Sequence, residues 1–234
     1  MVCTDRGSLF SAEWVPRFLD SLIRAGPRVF VNQALFSRVK VSGALLFLAS
    51  TQFLFGMFVA ETLYPGYSVS VNYISDLGAT CHTTCTIVQP SSLIFDSSVF
   101  LLGALLILGA YLFRQGSGSV LAPLLLGITG LGAMGVGVFP ETTGVLHVVV
   151  SLVAFAGGGL AALASFKFSR PILSYFAVIL GTMTLVALVL YASGIYLGLG
   201  AGGMERVVLY PVLTWGIGFG GYLTARTEDS FVKR

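Results

Sequence analysis

Apolar residues in this chain run in blocks of about 20, the length a helix needs at 1.5 Å per residue to cross a hydrocarbon core of roughly 30 Å. Six such blocks are present, over 39–60, 93–113, 120–139, 145–166, 172–193 and 207–224. Period-two alternation is absent, so a β-barrel is not supported. The pattern predicts an all-α, polytopic bundle of six transmembrane helices. The breaks carry turn residues or charges: Tyr64-Pro65-Gly66, Arg114 to Gly118, Pro140-Glu141, Lys167 to Pro171 and Gly198 to Gly203. Spans two to four are joined by very short turns, which makes them antiparallel neighbours.

Lysine and arginine orient the bundle. Arg6, Arg17, Arg24, Arg28, Arg38, Lys40, Arg114, Lys167, Arg170, Arg226, Lys233 and Arg234 all fall on one side of a six-span chain. Of the 13 basic residues only Arg206 falls on the other. Both termini are therefore expected in the cytoplasm, with a cell-membrane location. Residues 1–38 form an N-terminal extension, 39–224 the transmembrane domain with an extracytoplasmic loop over 61–92, and 225–234 a tail. Within the extension, Trp14, Val15, Phe18, Leu19, Leu22 and Ile23 recur at helical spacing against Glu13, Arg17, Asp20 and Arg24. That pattern fits an amphipathic helix in the interface, the alternative being a poorly ordered segment. No signal-peptide core with a cleavage site is visible, so the first span is expected to be retained.

Composition agrees. Hydrophobic residues make up 56% and charged residues 10% of the chain, against roughly 25% charged in soluble domains. Mean hydropathy is +0.91. A net charge of +3 without a basic patch gives no footprint for nucleic acid. Membrane lipids are the expected partners; protein partners cannot be read from the sequence.

The polar residues are unevenly distributed. Glu61, Asp76, Asp96, Glu141 and Glu205 all belong to the outer side, with His82, His147 and Arg206. Asp96 and His147 lie within spans, where ionisable groups are costly and default to a functional role. A proton or ion pathway needs stepping stones through the whole thickness, and beyond Gln52 and a few threonines the inner halves of the spans offer none. A dead-ended pocket at the outer leaflet fits better than a channel.

Each motif admits two readings. In Asn72-Tyr73-Ile74-Ser75-Asp76-Leu77-Gly78, Ser75 and Asp76 belong to a polar site, or Asn, Ser and Asp bond local backbone in a turn. Asp96 and His147 form a base with its orienting carboxylate, or a structural hydrogen bond between the second and fourth spans. Glu205 suits a helix N-terminus. Arg206 needs either a phosphate or an internal carboxylate such as Asp76 or Glu141. Tyr210 and Thr214 follow one and two turns below it. Cys81-His82-Thr83-Thr84-Cys85 offers a loop disulfide or a pair of free thiols. One histidine with carboxylates is a weak zinc signature, and no P-loop, dinucleotide fingerprint or GxSxG elbow exists. No metal or cofactor is expected.

Ile74-Ser75-Asp76-Leu77-Gly78, with Pro90-Ser91-Ser92-Leu93-Ile94-Phe95, resembles the signature of a six-span eukaryotic superfamily. That superfamily holds the damage-regulated autophagy modulators and the GPI-anchor remodelling protein of the Golgi. Phe139-Pro140-Glu141-Thr142, His147 and Ala154-Phe155 are similar to its fourth-span passage. With Gly203-Met204-Glu205-Arg206-Val207-Val208-Leu209-Tyr210-Pro211 and Trp215, the pattern looks like a prokaryotic membrane family catalogued as domain-of-unknown-function nine-nine-eight, over roughly residues 40 to 224. The resemblance implies a lipid-related role at the non-cytoplasmic leaflet. The leading expectation is a pocket for a lipid headgroup, in which Arg206 holds a phosphate and Asn72, Asp76, Glu205 and Tyr210 complete the binding site. The alternative is an intramembrane lipid hydrolase or acyltransferase, with His147 as general base, Asp96 or Glu141 orienting it and Ser75 as nucleophile. A small-molecule transporter is a third reading, and it needs an inner opening that the sequence does not advertise.

Overall fold

The computed structural model describes residues 26–81 and 84–226, with side chains from Ser37 onward. Its helices are α1 Gly26–Thr62, α2 Ser91–Ser117, α3 Leu121–Val138, α4 Val145–Ala164, α5 Pro171–Ala192 and α6 Gly200–Ala225. Each contains a stretch long and apolar enough to cross a membrane. The protein is a six-helix, membrane-spanning bundle.

Helix boundaries differ from the hydropathy blocks in an informative way. The backbone of 26–38, placed outside the membrane domain by its charge, is helical and continuous with the first span. Arg38 and Lys40 end the apolar run without ending the helix, because charged residues are good helix formers. The segment Trp14 to Arg24 and the tail from residue 227 lie outside the described residues. At the other end of the chain, Gly200 to Gly203 are already helical and not part of a turn, so Glu205 and Arg206 sit inside α6.

Successive helices pack as neighbours, and α6 returns against α1, so the six close into a ring. The least extensive of these neighbour contacts joins α4 to α5. In a bilayer, association rests on close packing and interhelical hydrogen bonds, which explains the glycine content. At the α2–α3 crossing, a Cβ on Gly103 would fall 2.4 Å from the Gly130 carbonyl oxygen, and one on Gly130 would fall 2.7 Å from that of Gly103. Hydroxyls and amides tie other pairs. Ser42 donates to the Gly109 carbonyl at 2.8 Å, Gln52 to that of Ser98 at 3.0 Å, and Thr184 to that of Val208 at 3.0 Å. Large apolar side chains such as Phe55, Val145 and Ile172 point outward, where lipid is the fitting solvent.

The helix directions sort the charges to two ends. Arg38 bonds Gln115 at one end. Glu61, Asp96, Glu141, His147, Glu205 and Arg206 gather at the other, beneath the segment that links α1 to α2. That segment contains a 3-10 turn, Ser75–Leu77, and a two-stranded hairpin, β1 Thr80–Cys81 and β2 Cys85–Thr86. A disulfide joins Cys81 to Cys85 across the hairpin.

Replacing Gly103 by Val forces α2 and α3 apart, and overpacking of this kind costs about 1–3 kcal/mol. The thermal unfolding midpoint in detergent is expected to fall. An unchanged midpoint would show that the crossing is looser than the structure has it.

Candidate functional site

Arg206 sits in the first two turns of α6 and is 4% exposed. A buried guanidinium must find compensation, and its two terminal nitrogens find it inside the protein. It pairs with Glu61 at the end of α1 and bonds the Tyr67 hydroxyl at 2.7 Å. It donates to the carbonyls of Val69 at 3.1 Å, Gly202 at 2.9 Å and Asn72 at 3.4 Å. The guanidinium carbon also lies 5.5 Å from the Tyr67 ring centroid, a cation–π distance. The carboxylate partner is therefore Glu61, not Asp76 or Glu141. The reason is the ring: α1 and α6 are neighbours, so the end of one meets the start of the other. With Nη1 and Nη2 engaged and Nε buried, no edge of this group is open to a phosphate.

The segment clamped in this way is the cover of the site. Gly200 takes a φ of +75°, and a Cβ on Gly202 would fall 1.9 Å from the Asn72 carbonyl oxygen. Only glycine lets the cover come this close, and the Gly202 amide donates to Ser70 at 3.1 Å. Within the cover, Asn72 donates to Asp76 at 2.9 Å and the Tyr73 amide donates to the same carboxylate oxygen at 2.9 Å. Asn72 and Asp76 thus shape the turn. Burial pushes the Tyr67 phenol up, so it remains neutral and donates to the Tyr73 carbonyl at 2.8 Å. Tyr210 is on the outer face of α6, 38% exposed.

Two glutamates receive the underside of the cover. Glu141, in a 3-10 turn before α4, accepts from the Ser75 hydroxyl at 2.6 Å and from the Cys81 amide at 3.2 Å. Glu205 accepts from the Ile74 amide through one oxygen. Between them and the α4–α5 seam lies a cleft of about 540 Å³. Ser75, Glu141, His147, Ser151, Glu205, Tyr73 and Tyr191 line its polar part, and Val148, Leu152, Phe155 and Leu188 its apolar part. A smaller void of about 50 Å³ touches Ser75, Ser151, Phe155 and Glu205 and runs toward the bundle core.

His147 is 8% exposed, and its ring is held by backbone, not by a carboxylate. Nδ1 lies 2.7 Å from the Phe139 carbonyl oxygen, which can only accept, so the proton is assigned to Nδ1. Nε2 then accepts from the Ser151 hydroxyl at 3.3 Å. Asp96 is not its partner: it bonds Ser92 on its own helix at 3.1 Å and packs against Gly78. Neither form of the expected Asp96–His147 bond is present. Among the described residues no group of three or more His, Cys, Asp and Glu could hold a metal. The Cys81 and Cys85 thiols are consumed by their disulfide, and His82 lies outside the described residues.

The residues that sequence reasoning singled out divide into two sets. Ser75, Glu141, His147 and Glu205 meet at the cleft, whereas Asn72, Asp76, Arg206, Asp96 and Tyr210 stand away from its lining. Ser151, Tyr73 and Tyr191 line it without having been proposed. Ser151 was within reach, being four residues after His147 on the same helix face.

The profile of a family described as protein of unknown function (DUF998) matches residues 47–221. The chain belongs to that family. No curated protein and no solved structure matches it. In this DUF998 protein the matched stretch runs from α1 to α6, so it includes both the Arg206 clamp and every residue of the cleft.

Arg206→Ala leaves Glu61 buried without its counter-charge and frees the cover. Breaking a buried pair in this way costs about 3–5 kcal/mol. A lowered unfolding midpoint, with protease cleavage appearing within residues 63–78, is expected. Arg206→Lys should fall between, since a lysine keeps the charge but not the planar set of donors. A wild-type cleavage pattern for the alanine variant would mean that the cover is held elsewhere.

Proposed function

We propose that the protein binds a membrane amphiphile in the α4–α5 cleft, at the non-cytoplasmic leaflet of the cell membrane, with both chain termini cytoplasmic. The observation that supports this reading is the division of the cleft. Its hydroxyls, imidazole and carboxylates lie near the cover, and its aliphatic and phenyl groups lie along the helices. Its volume of about 540 Å³ falls within the roughly 300–1,000 Å³ of small-molecule sites. Val148 and Leu152 are exposed on the bundle surface as well as lining the cleft, which leaves a chain a lateral way out to lipid. The head would meet Ser75, Glu141, His147 and Glu205. Arg206, Asn72 and Asp76 serve by holding the cover over it.

A second reading, an intramembrane lipid hydrolase or acyltransferase, is favoured by the His147 geometry. Its basic Nε2 is directed at a hydroxyl of the cleft lining while Nδ1–H is anchored by Phe139. That arrangement suits a general base. Ser75, the nucleophile suggested by sequence, is bonded to Glu141 and not to His147.

Leu152→Trp fills the apolar half of the cleft from a surface position. Native mass spectrometry of the purified variant is expected to lose the co-purifying lipid adducts of the wild type, with the unfolding midpoint unchanged. Adducts retained at wild-type level would remove the cleft as the binding site. His147→Ala tests the second reading: it abolishes lipid turnover if His147 is the base. Turnover equal to wild type in that variant rules out His147 as the base.

A further inference from the structure

The polar end of the cleft has a chemical preference of its own. It presents two carboxyl groups, Glu141 and Glu205, and among the described residues no lysine or arginine lines it. The nearest fixed cation in sequence, Arg206, is paired with Glu61 and is not in the cleft lining. Glu205 is 5% exposed, accepts the Ile74 amide through one oxygen, and lines the cleft. Carboxyl oxygens at the polar end of a cleft are placed to accept from a donor that enters it.

Beside these carboxylates stand aromatic faces. Tyr73 and Tyr191 meet edge to face, with ring centroids 6.0 Å apart at 87°, and Tyr196 packs 6.2 Å behind Tyr191. Burial raises the Tyr73 phenol to about 12, with the neighbouring Tyr196 adding to it, so the ring is neutral at physiological pH. Neutral aromatic rings with carboxylates are the surroundings that attract an ammonium ion, through cation–π attraction and charge pairing. A phosphate or carboxylate head would meet like charge at Glu141 and, among the described lining residues, no lysine or arginine to pair with.

We propose that the cleft selects an ammonium head, with Glu141, Glu205, Tyr73 and Tyr191 as its receiving groups. The ammonium is either the end of a membrane amphiphile or a free organic amine. The inference rests on the cleft being the binding site, and it names the class of head that enters.

The test uses the full chain in a sugar-headed detergent and native mass spectrometry. Dodecylamine, dodecyltrimethylammonium, dodecanol and dodecyl phosphate are each offered at the same concentration. The two ammonium probes are expected to bind roughly tenfold more tightly than the alcohol, and the phosphate more weakly than the alcohol. Glu141→Gln with Glu205→Gln keeps acceptors for the Ser75 hydroxyl and the Ile74 amide, and should bring the ammonium probes down to the alcohol. Tyr191→Leu, which touches neither of those bonds, gives an independent loss confined to the ammonium probes. Competition by tetramethylammonium identifies a free amine as sufficient, whereas competition by chain-bearing amines alone identifies an amphiphile. If all four probes bind equally and Leu152→Trp excludes them all, the cleft stands and the ammonium preference falls. If Leu152→Trp excludes none of them, the cleft is not the site and both readings fall together.

Discussion

A guanidinium inside a membrane helix cannot be left to itself, and the architecture of the covered end follows from how Arg206 is satisfied. Its partners come from α1, from the linking segment and from its own helix, so one side chain joins three pieces of chain. Charge pairing with Glu61 meets the cost of burial, while the carbonyls of Val69 and Asn72 fix where the cover lies. Close approach completes the arrangement, because α6 offers only glycine where those carbonyls rest on it. The residue that most resembled an anion-binding group is thereby a structural fastener.

The cleft is what remains beneath that cover. Six helices in a ring meet with unequal intimacy, and the seam between α4 and α5 is the least extensive. Glu141 and Glu205 close the cover over this seam by accepting its hydroxyl and amide protons, which leaves carboxylate oxygen at the roof of an otherwise apolar opening. The same groups therefore hold the cover and set the charge of the space below. Their replacement is best made with the isosteric amide, which separates the two roles.

Much of the fold was legible because hydropathy and the lysine and arginine positions constrain it strongly. Six spans, their antiparallel order and the gathering of acidic residues at one end all follow from those two signals. The starts of α1 and α6 were less legible, since neither charge nor glycine ends a helix when neighbouring turns supply its hydrogen bonds. At the site, sequence identified Ser75, Glu141, His147 and Glu205 as unusual because they are polar near the membrane. It could not assign partners: Glu61 and Arg206 are 145 residues apart, and only the closure of α6 onto α1 brings them together. The Asp96–His147 expectation failed for the same reason. A backbone carbonyl at Phe139, invisible as a side-chain pattern, had already taken the imidazole.

Ring closure also sets an order of assembly. During synthesis Glu61 is threaded into the membrane long before Arg206 exists, and the intervening chain takes on the order of ten seconds to make at common elongation rates. Throughout that interval the segment after α1 has neither its clamp nor the helix start on which it rests. Glu205 arrives with Arg206, so the acceptor for Ile74 is missing as well. The cover is therefore fully fastened only once α6 is in place, with Glu141 available to Ser75 and Cys81 beforehand.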